Sequence, residues 1–169
     1  LALDREGRIL ALRTRVTADF GAAPVGSTAI IPLVLGPKVQ TTVYHVPTVD
    51  FHVRGVLTNT MATGAYRGAG RPEANYLMER LIEQAAREMK LDPAELRLKN
   101  FIKAEQFPYH SALGWEYDSG DYHTAMRKMM ETVDYAGLRK EQAAQREAFK
   151  RGETREIMGL GVSFFTEIV

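Results

Sequence analysis

The 169-residue chain contains no cysteine. Disulfides, thiolate metal sites and a cysteine nucleophile are excluded together, and any iron–sulfur chemistry must sit on another segment or chain. A surplus of either charge is also missing, because 22 basic and 21 acidic side chains leave a net +1. Lys and Arg fall singly, not in the stripe that would neutralise a phosphate backbone, so no nucleic-acid partner is expected. No apolar run approaches the ~20 residues that span a bilayer, and no charged-then-apolar leader opens the chain. No membrane insertion and a cytoplasmic setting are the expectations. The histidines, His45, His52, His110 and His123, nowhere show the i, i+4 spacing of a helical metal site, and ordinary surface or partly buried roles are expected for them.

Present instead is an ordinary globular composition, with 45% apolar and 25% charged residues. The chain opens on Leu1 and its end, from Phe164 to Val169, reads as a strand in progress, so an internal piece of a longer protein is expected. Residues 1–20 read as a hairpin turning at Asp4-Arg5-Glu6-Gly7, with Leu10, Leu12 and Val16 alternating. Gly21 to Pro37 is apolar and Gly/Pro-rich without period, and should pack against something outside it. Val39 to Tyr44 and Phe51 to Asn59 read as two further strands.

The period then changes. Ala74, Leu77, Met78, Leu81, Ile82, Ala85, Ala86 and Met89 form a helical stripe, with Pro72 in the first turn and Glu73 at the positive end of the dipole. Asp92-Pro93-Ala94-Glu95 carries cap, proline and acid for a second helix to about Phe101. A loop from Glu105 to Gly120 leads to Asp121, the cap of a third helix with Met126, Met129, Met130 and Val133 inward as core filler. A charged fourth helix runs from about Leu138 to Arg151, as a solvated face or subunit contact. The fold class expected is α+β, with mixed or antiparallel strands in the N-terminal part and at the C-terminal end, and about four helices between residues 72 and 151. As one internal domain, 1–169 divides into strand-rich 1–60, a loop at 61–71, helical 72–151 and a returning strand at 159–169.

The stretch Gly64-Ala65-Tyr66-Arg67-Gly68-Ala69-Gly70-Arg71-Pro72-Glu73-Ala74 joins the second half to the first. A strand, a glycine-rich loop and a helix N-terminus make a physically good anion or electrophile site. The spacing fits neither a Walker loop nor a Rossmann turn, so on spacing alone a structural turn is the better reading. Arg71 could steer an anionic substrate or pair with a nearby acid, and both readings stay open. Glu73 reads as a dipole partner rather than a catalytic acid.

The order of Thr58-Asn59-Thr60, this loop, Leu91 to Arg97, Asn100-Phe101-Ile102, Phe107-Pro108-Tyr109 and Tyr117 to Tyr122 resembles the large subunits of the molybdenum hydroxylases. That family includes xanthine dehydrogenase, aldehyde oxidase and aerobic carbon monoxide dehydrogenase. The resemblance implies a molybdenum–molybdopterin dinucleotide, with cytosine as its nucleotide, in the full-length protein and none bound to this stretch alone. It implies FAD and 2Fe-2S centres on partner chains, a flavin-binding medium subunit and an iron–sulfur small subunit, assembled as a dimer of heterotrimers. Tyr66, Arg67 and Gly68 would form the cofactor-binding wall, with the Arg67 backbone next to the molybdenum ligands. Ala69, Gly70 and Arg71 would border the substrate pocket. The activity implied is base-assisted hydroxylation of an electrophilic carbon.

Departures from the family bear on substrate. Copper-containing carbon monoxide dehydrogenases place a cysteine where this chain has Gly68, and xanthine dehydrogenases place a stacking phenylalanine where it has Ala69. The purine enzymes' substrate arginine would fall near Leu35. An aldehyde or a larger heteroaromatic is therefore expected over carbon monoxide or a purine. The family's glutamate base and apical glutamine lie outside the matched residues, so this stretch alone should be inactive. The rival expectation is a non-catalytic domain that holds an anion or serves as scaffold in a larger assembly.

Overall fold

The computed structural model describes residues 1–26 and 28–167; Ile168 and Val169, the end of the expected returning strand, lie outside them. The expected hairpin forms from Ala2–Leu3 (β1) and Ile9–Asp19 (β2), antiparallel, with the Asp4 carboxylate accepting from the amides of Glu6 at 2.9 Å and Arg8 at 2.8 Å. Ile9 and Leu12 enter the core, whereas Leu10, read as alternating in step with Leu12, is exposed. Val49–Val56 (β3) pairs with β2 in parallel, from Leu12 opposite Val49 to Asp19 opposite Val56. The three-stranded sheet, ordered β1-β2-β3, is therefore mixed.

A parallel pair needs a crossover, and that crossover departs from the sequence reading. Residues expected to be irregular contain a π-helical turn, Ile31–Leu35, running into a short α turn, Gly36–Lys38 (α1). Residues 39–44, expected as a strand, are turns ending in a single bridge from Tyr44 to Phe101. All of them are buried, so their β-branched composition reflects packing into the core and no ladder.

Four helices occupy the expected region. Arg71–Met89 (α2) buries Ala74, Met78, Ile82 and Ala86 on one face. Pro93–Asn100 (α3) is capped by Asp92, whose side chain accepts from Ala94 N at 2.8 Å and Glu95 N at 3.3 Å. Asp121 caps Tyr122–Thr132 (α4), and Asp134 caps Tyr135–Lys150 (α5). Met126 is fully buried, but Val133, expected inward, is exposed. The expected loop at 105–120 holds a two-stranded hairpin, Tyr109–His110 (β4) with Glu116–Tyr117 (β5), preceded by a 3-10 turn at Ala104–Gln106. Where a strand was expected from 159, residues 159–167 carry no regular secondary structure.

One apolar cluster joins the sheet, α2, α3 and α4, with Leu12, Val43, Met78, Ile82, Leu96, Ile102 and Met126 at its centre. Two polar side chains tie it together. Arg97 is fully buried; its Nε donates to Glu79 Oε2 at 2.8 Å and its Nη1 to Pro93 O at 2.9 Å. The other Glu79 oxygen accepts from the Tyr44 hydroxyl, which burial, then the Glu79 charge, hold well above its usual range of titration. Asn100 accepts from Ile9 N at 2.8 Å and donates to Gly7 O at 2.8 Å and Leu96 O at 2.9 Å, pinning the first hairpin onto α3.

Candidate functional site

The loop at 61–71 leaves β3 over a polar anchor. Asp19 Oδ1 accepts from the Gly21 amide at 2.8 Å and the Thr58 hydroxyl at 2.7 Å. These two bonds hold its carboxyl below the usual carboxylate range. Thr63 donates to the Asp19 carbonyl at 3.1 Å, and Thr28 donates to the Thr63 carbonyl at 2.7 Å. Among the described residues, 64–67 then make no such hydrogen bond. A Cβ on Gly64 would meet nothing within 4 Å, Tyr66 is 94% exposed, and Arg67 is exposed beside it. Among the described residues the backbone amides of Tyr66, Arg67 and Gly68 donate no hydrogen bond.

The exit from the loop is tightly built. Gly68, Ala69 and Gly70 all have positive φ, at 100°, 40° and 94°, and the Arg71 amide closes the turn on Gly68 O at 3.0 Å. A Cβ on Gly70 would lie 2.8 Å from both the N and the Cα of Gly36. Only glycine tolerates that approach. The same contact brings Leu35 under the loop, its carbonyl carbon 3.5 Å from the position of that Cβ. The residues read from sequence as a turn and as a site wall are thus neighbours in one structure: 68–70 is a required turn, and 64–67 is the open lip.

The flanking residues sort out further. Ala69 is half-buried, and Gly70 is buried against Gly36. Arg71 pairs with an acid: its Nε lies 2.6 Å from Glu167 Oε1, and its Nη1 donates to Gly68 O at 3.2 Å. Glu73 sits exposed in the first turn of α2 and borders a cavity of about 400 Å³ between β2, α1, the loop and α2. Apolar Val16, Ala18, Ile31, Pro37 and Leu77 make up much of its wall. His45 Nδ1 lies 3.0 Å from the Tyr109 hydroxyl and His123 Nε2 lies 2.8 Å from Leu98 O, so both are engaged in packing. Among the described residues no group of three or more His, Asp or Glu could hold a metal ion. Among them, too, no helix is long and apolar enough to cross a membrane.

Chemically, this is a set of donors without acceptors among the described residues. Unengaged amides at the head of a 19-residue helix suit oxygen-rich, negatively charged groups, and the bare Gly64 lip lets such a group come close. A metal carried by its own organic anionic ligand fits this arrangement, whereas a metal ligated by side chains does not. Sequence reasoning passed over Asp19, Thr28 and Gly36. The Asp19-Phe20-Gly21 spacing is an Asx-turn signal that could have flagged the first. Nothing local marks Gly36, whose partner lies across the crossover.

Residues 1–101 match the model of a molybdopterin cofactor-binding domain. The chain is similar to the carbon monoxide dehydrogenase large chain of Afipia carboxidovorans, 52% identical over 100% of this chain and 21% of that one. It is also similar to the nicotine 6-hydroxylase large subunit of Paenarthrobacter nicotinovorans, 32% identical over 98% of this chain and 20% of that one. Among solved structures, a Cu,Mo carbon monoxide dehydrogenase in its carbon monoxide reduced state superposes with a TM-score of 0.84 at 49% identity, over 97% of this chain and 21% of the other. The chain thus spans about a fifth of the length of the relatives it matches.

Proposed function

The chain belongs to the molybdopterin cofactor-binding domain family, and on that premise we propose that it forms one wall of the molybdenum site in the catalytic large subunit of a molybdenum-dependent hydroxylase or dehydrogenase. One observation carries the reading. The amides of Tyr66, Arg67 and Gly68 have no acceptor within the described residues and are presented by a left-handed turn at the head of α2. When bound, the molybdenum–molybdopterin dinucleotide, with cytosine as its nucleotide, supplies two-electron redox chemistry for hydroxylating an electrophilic carbon.

The role of this chain is positional and electrostatic. Tyr66, Arg67 and Gly68 offer fixed donors to acceptor atoms of the cofactor, and donors of this kind are worth roughly 10² to 10³ in rate when they face developing charge. Ala69, Gly70 and Arg71 border the substrate side. The base and the remaining walls come from outside these residues, so the chain alone is inactive. The exposed apolar residues Val25, Ile30, Leu57 and Met61 lie in the segments beside the loop, and the rest of the subunit covers them. Electrons leave through iron–sulfur and flavin subunits, in a cytoplasmic dimer of heterotrimers.

For substrate, the loop favours an aldehyde or a heteroaromatic. The chain offers no cysteine to a copper ion, and Gly68 and Ala69 leave room where the family resemblance implies sulfur in copper-containing enzymes or an aromatic ring in purine enzymes. The similarity to a nicotine hydroxylase supports the heteroaromatic option. The test is metal analysis of the full-length subunit co-expressed with its partners, followed by turnover on aldehydes, N-heteroaromatics, hypoxanthine and carbon monoxide. Stoichiometric molybdenum with turnover of the first two classes is the expected result. A preparation without molybdenum sinks the function, and carbon monoxide or hypoxanthine as the best substrate sinks the substrate assignment.

A further inference from the structure

Arg71 is the first residue of α2 and follows directly on the left-handed turn. Its side chain is only 17% exposed. Two of its groups bond the same atom, because the main-chain amide reaches Gly68 O at 3.0 Å and Nη1 reaches it at 3.2 Å. Its Nε meets Glu167 Oε1 at 2.6 Å. With Nη1 on a carbonyl, Nε in ion-pair contact with a carboxylate and only 17% of the side chain exposed, the guanidinium is turned towards its own chain rather than towards an anionic substrate.

The segment that carries Glu167 is itself anchored. Asn75 Nδ2 of α2 donates to Ser163 Oγ at 3.1 Å, and the Phe164 ring packs on Phe101 and Tyr122 with centroids 4.9 Å and 5.9 Å away. Glu167 therefore grips Arg71 from a base joined to the core. The turn it steadies is strained, since Ala69 has φ 40° between two left-handed glycines. A strained turn persists only where its surroundings over-determine it.

We propose that Arg71 is a positioning residue: with Glu167 it locks the Gly68 carbonyl, and thereby the direction of the amides of Tyr66, Arg67 and Gly68, to the anchored segment at 159–167. Its catalytic meaning rests on the reading of the loop as a molybdenum-site wall. The clamp itself does not.

The experiment uses the full-length subunit in its assembled complex, with Arg71→Met, Arg71→Lys, Glu167→Gln and, as control on the exposed side of α2, Arg80→Met. Hydrogen exchange of the 62–76 peptide should rise about tenfold in Arg71→Met, less in Glu167→Gln, and not in Arg80→Met. In the same samples Arg71→Met should keep its molybdenum, lose roughly 10²-fold in kcat with KM changed less than about threefold, and show an altered Mo(V) electron paramagnetic resonance spectrum. Arg71→Lys, which keeps a charge for Glu167, should recover part of kcat. Unchanged exchange in Arg71→Met overturns the clamp, and so does unchanged exchange in Glu167→Gln should Arg71→Met fail to assemble. Loss of molybdenum in step with activity, or wild-type kcat and spectrum, overturns the positioning role. A wild-type complex without molybdenum refutes the site reading instead, while the exchange comparison still decides the clamp.

Discussion

The α2–α3 scaffold and the glycine loop differ in how they treat polar groups. In the scaffold the buried polar side chains at the α2–α3 contact bond one another or the main chain: Arg97 is closed by Glu79 and Pro93, Glu79 by Tyr44, and Asn100 by Ile9, Gly7 and Leu96. In the loop the amides of Tyr66, Arg67 and Gly68 have no acceptor among the described residues, over a turn in left-handed conformation. Satisfied buried networks give rigidity, and unspent donors on a strained turn give binding capacity. The molecule holds the second steady by means of the first, through α2, which belongs to both.

Cutting the network should show this division most strongly. Arg97→Met leaves the buried Glu79 carboxylate without its counter-charge and should cost about 3–5 kcal/mol, read as a lower denaturation midpoint. Gly64→Ala, in open space on the loop, should stay within about 0.5 kcal/mol of wild type. Equal losses for the two would erase the distinction between scaffold and loop.

Gly68→Val should show the reverse pattern in the full-length complex. The new Cβ would start 2.9 Å from Pro72 Cδ at φ 100°, so the loop must rebuild locally. Turnover should fall roughly 10²-fold, with a change in thermal midpoint much smaller than that of Arg97→Met. Retained activity would remove the loop from the site.

The smallest effect concerns alkali. Burial raises the Tyr117 and Tyr135 hydroxyls to about 12, Asp92 adding to the latter, from the usual 10.0. Because the folded values are raised, these groups contribute stability in full below pH 10, and lose it as pH rises towards 12. Absorbance at 295 nm should therefore show a late tyrosine fraction that ionises together with loss of the helical circular dichroism. Ionisation of every tyrosine before any unfolding would contradict the burial of these two.

Legibility from sequence followed the same division. The four helices were readable because stripes and caps are local signals: Asp92, Asp121 and their following turns name their own positions. The turn before α2 was readable from its glycines, and the family from the ordered motifs around it. Residues 39–44 misled, because burial on every side imitates strand composition. The choice between steering and pairing for Arg71 was undecidable, since its partner lies at the far end of the chain.

By itself, then, the sequence determined the α+β class, the helices with their caps, the absence of thiol chemistry and the loop's place at a helix entry. Each of these depends on residues a few positions apart, or on composition. Tertiary structure alone decided that Gly70 packs on Gly36, that Arg71 grips Glu167, and that Asn100 ties the first hairpin to α3. Those contacts join distant residues, and only the packing of a common core brings them within reach.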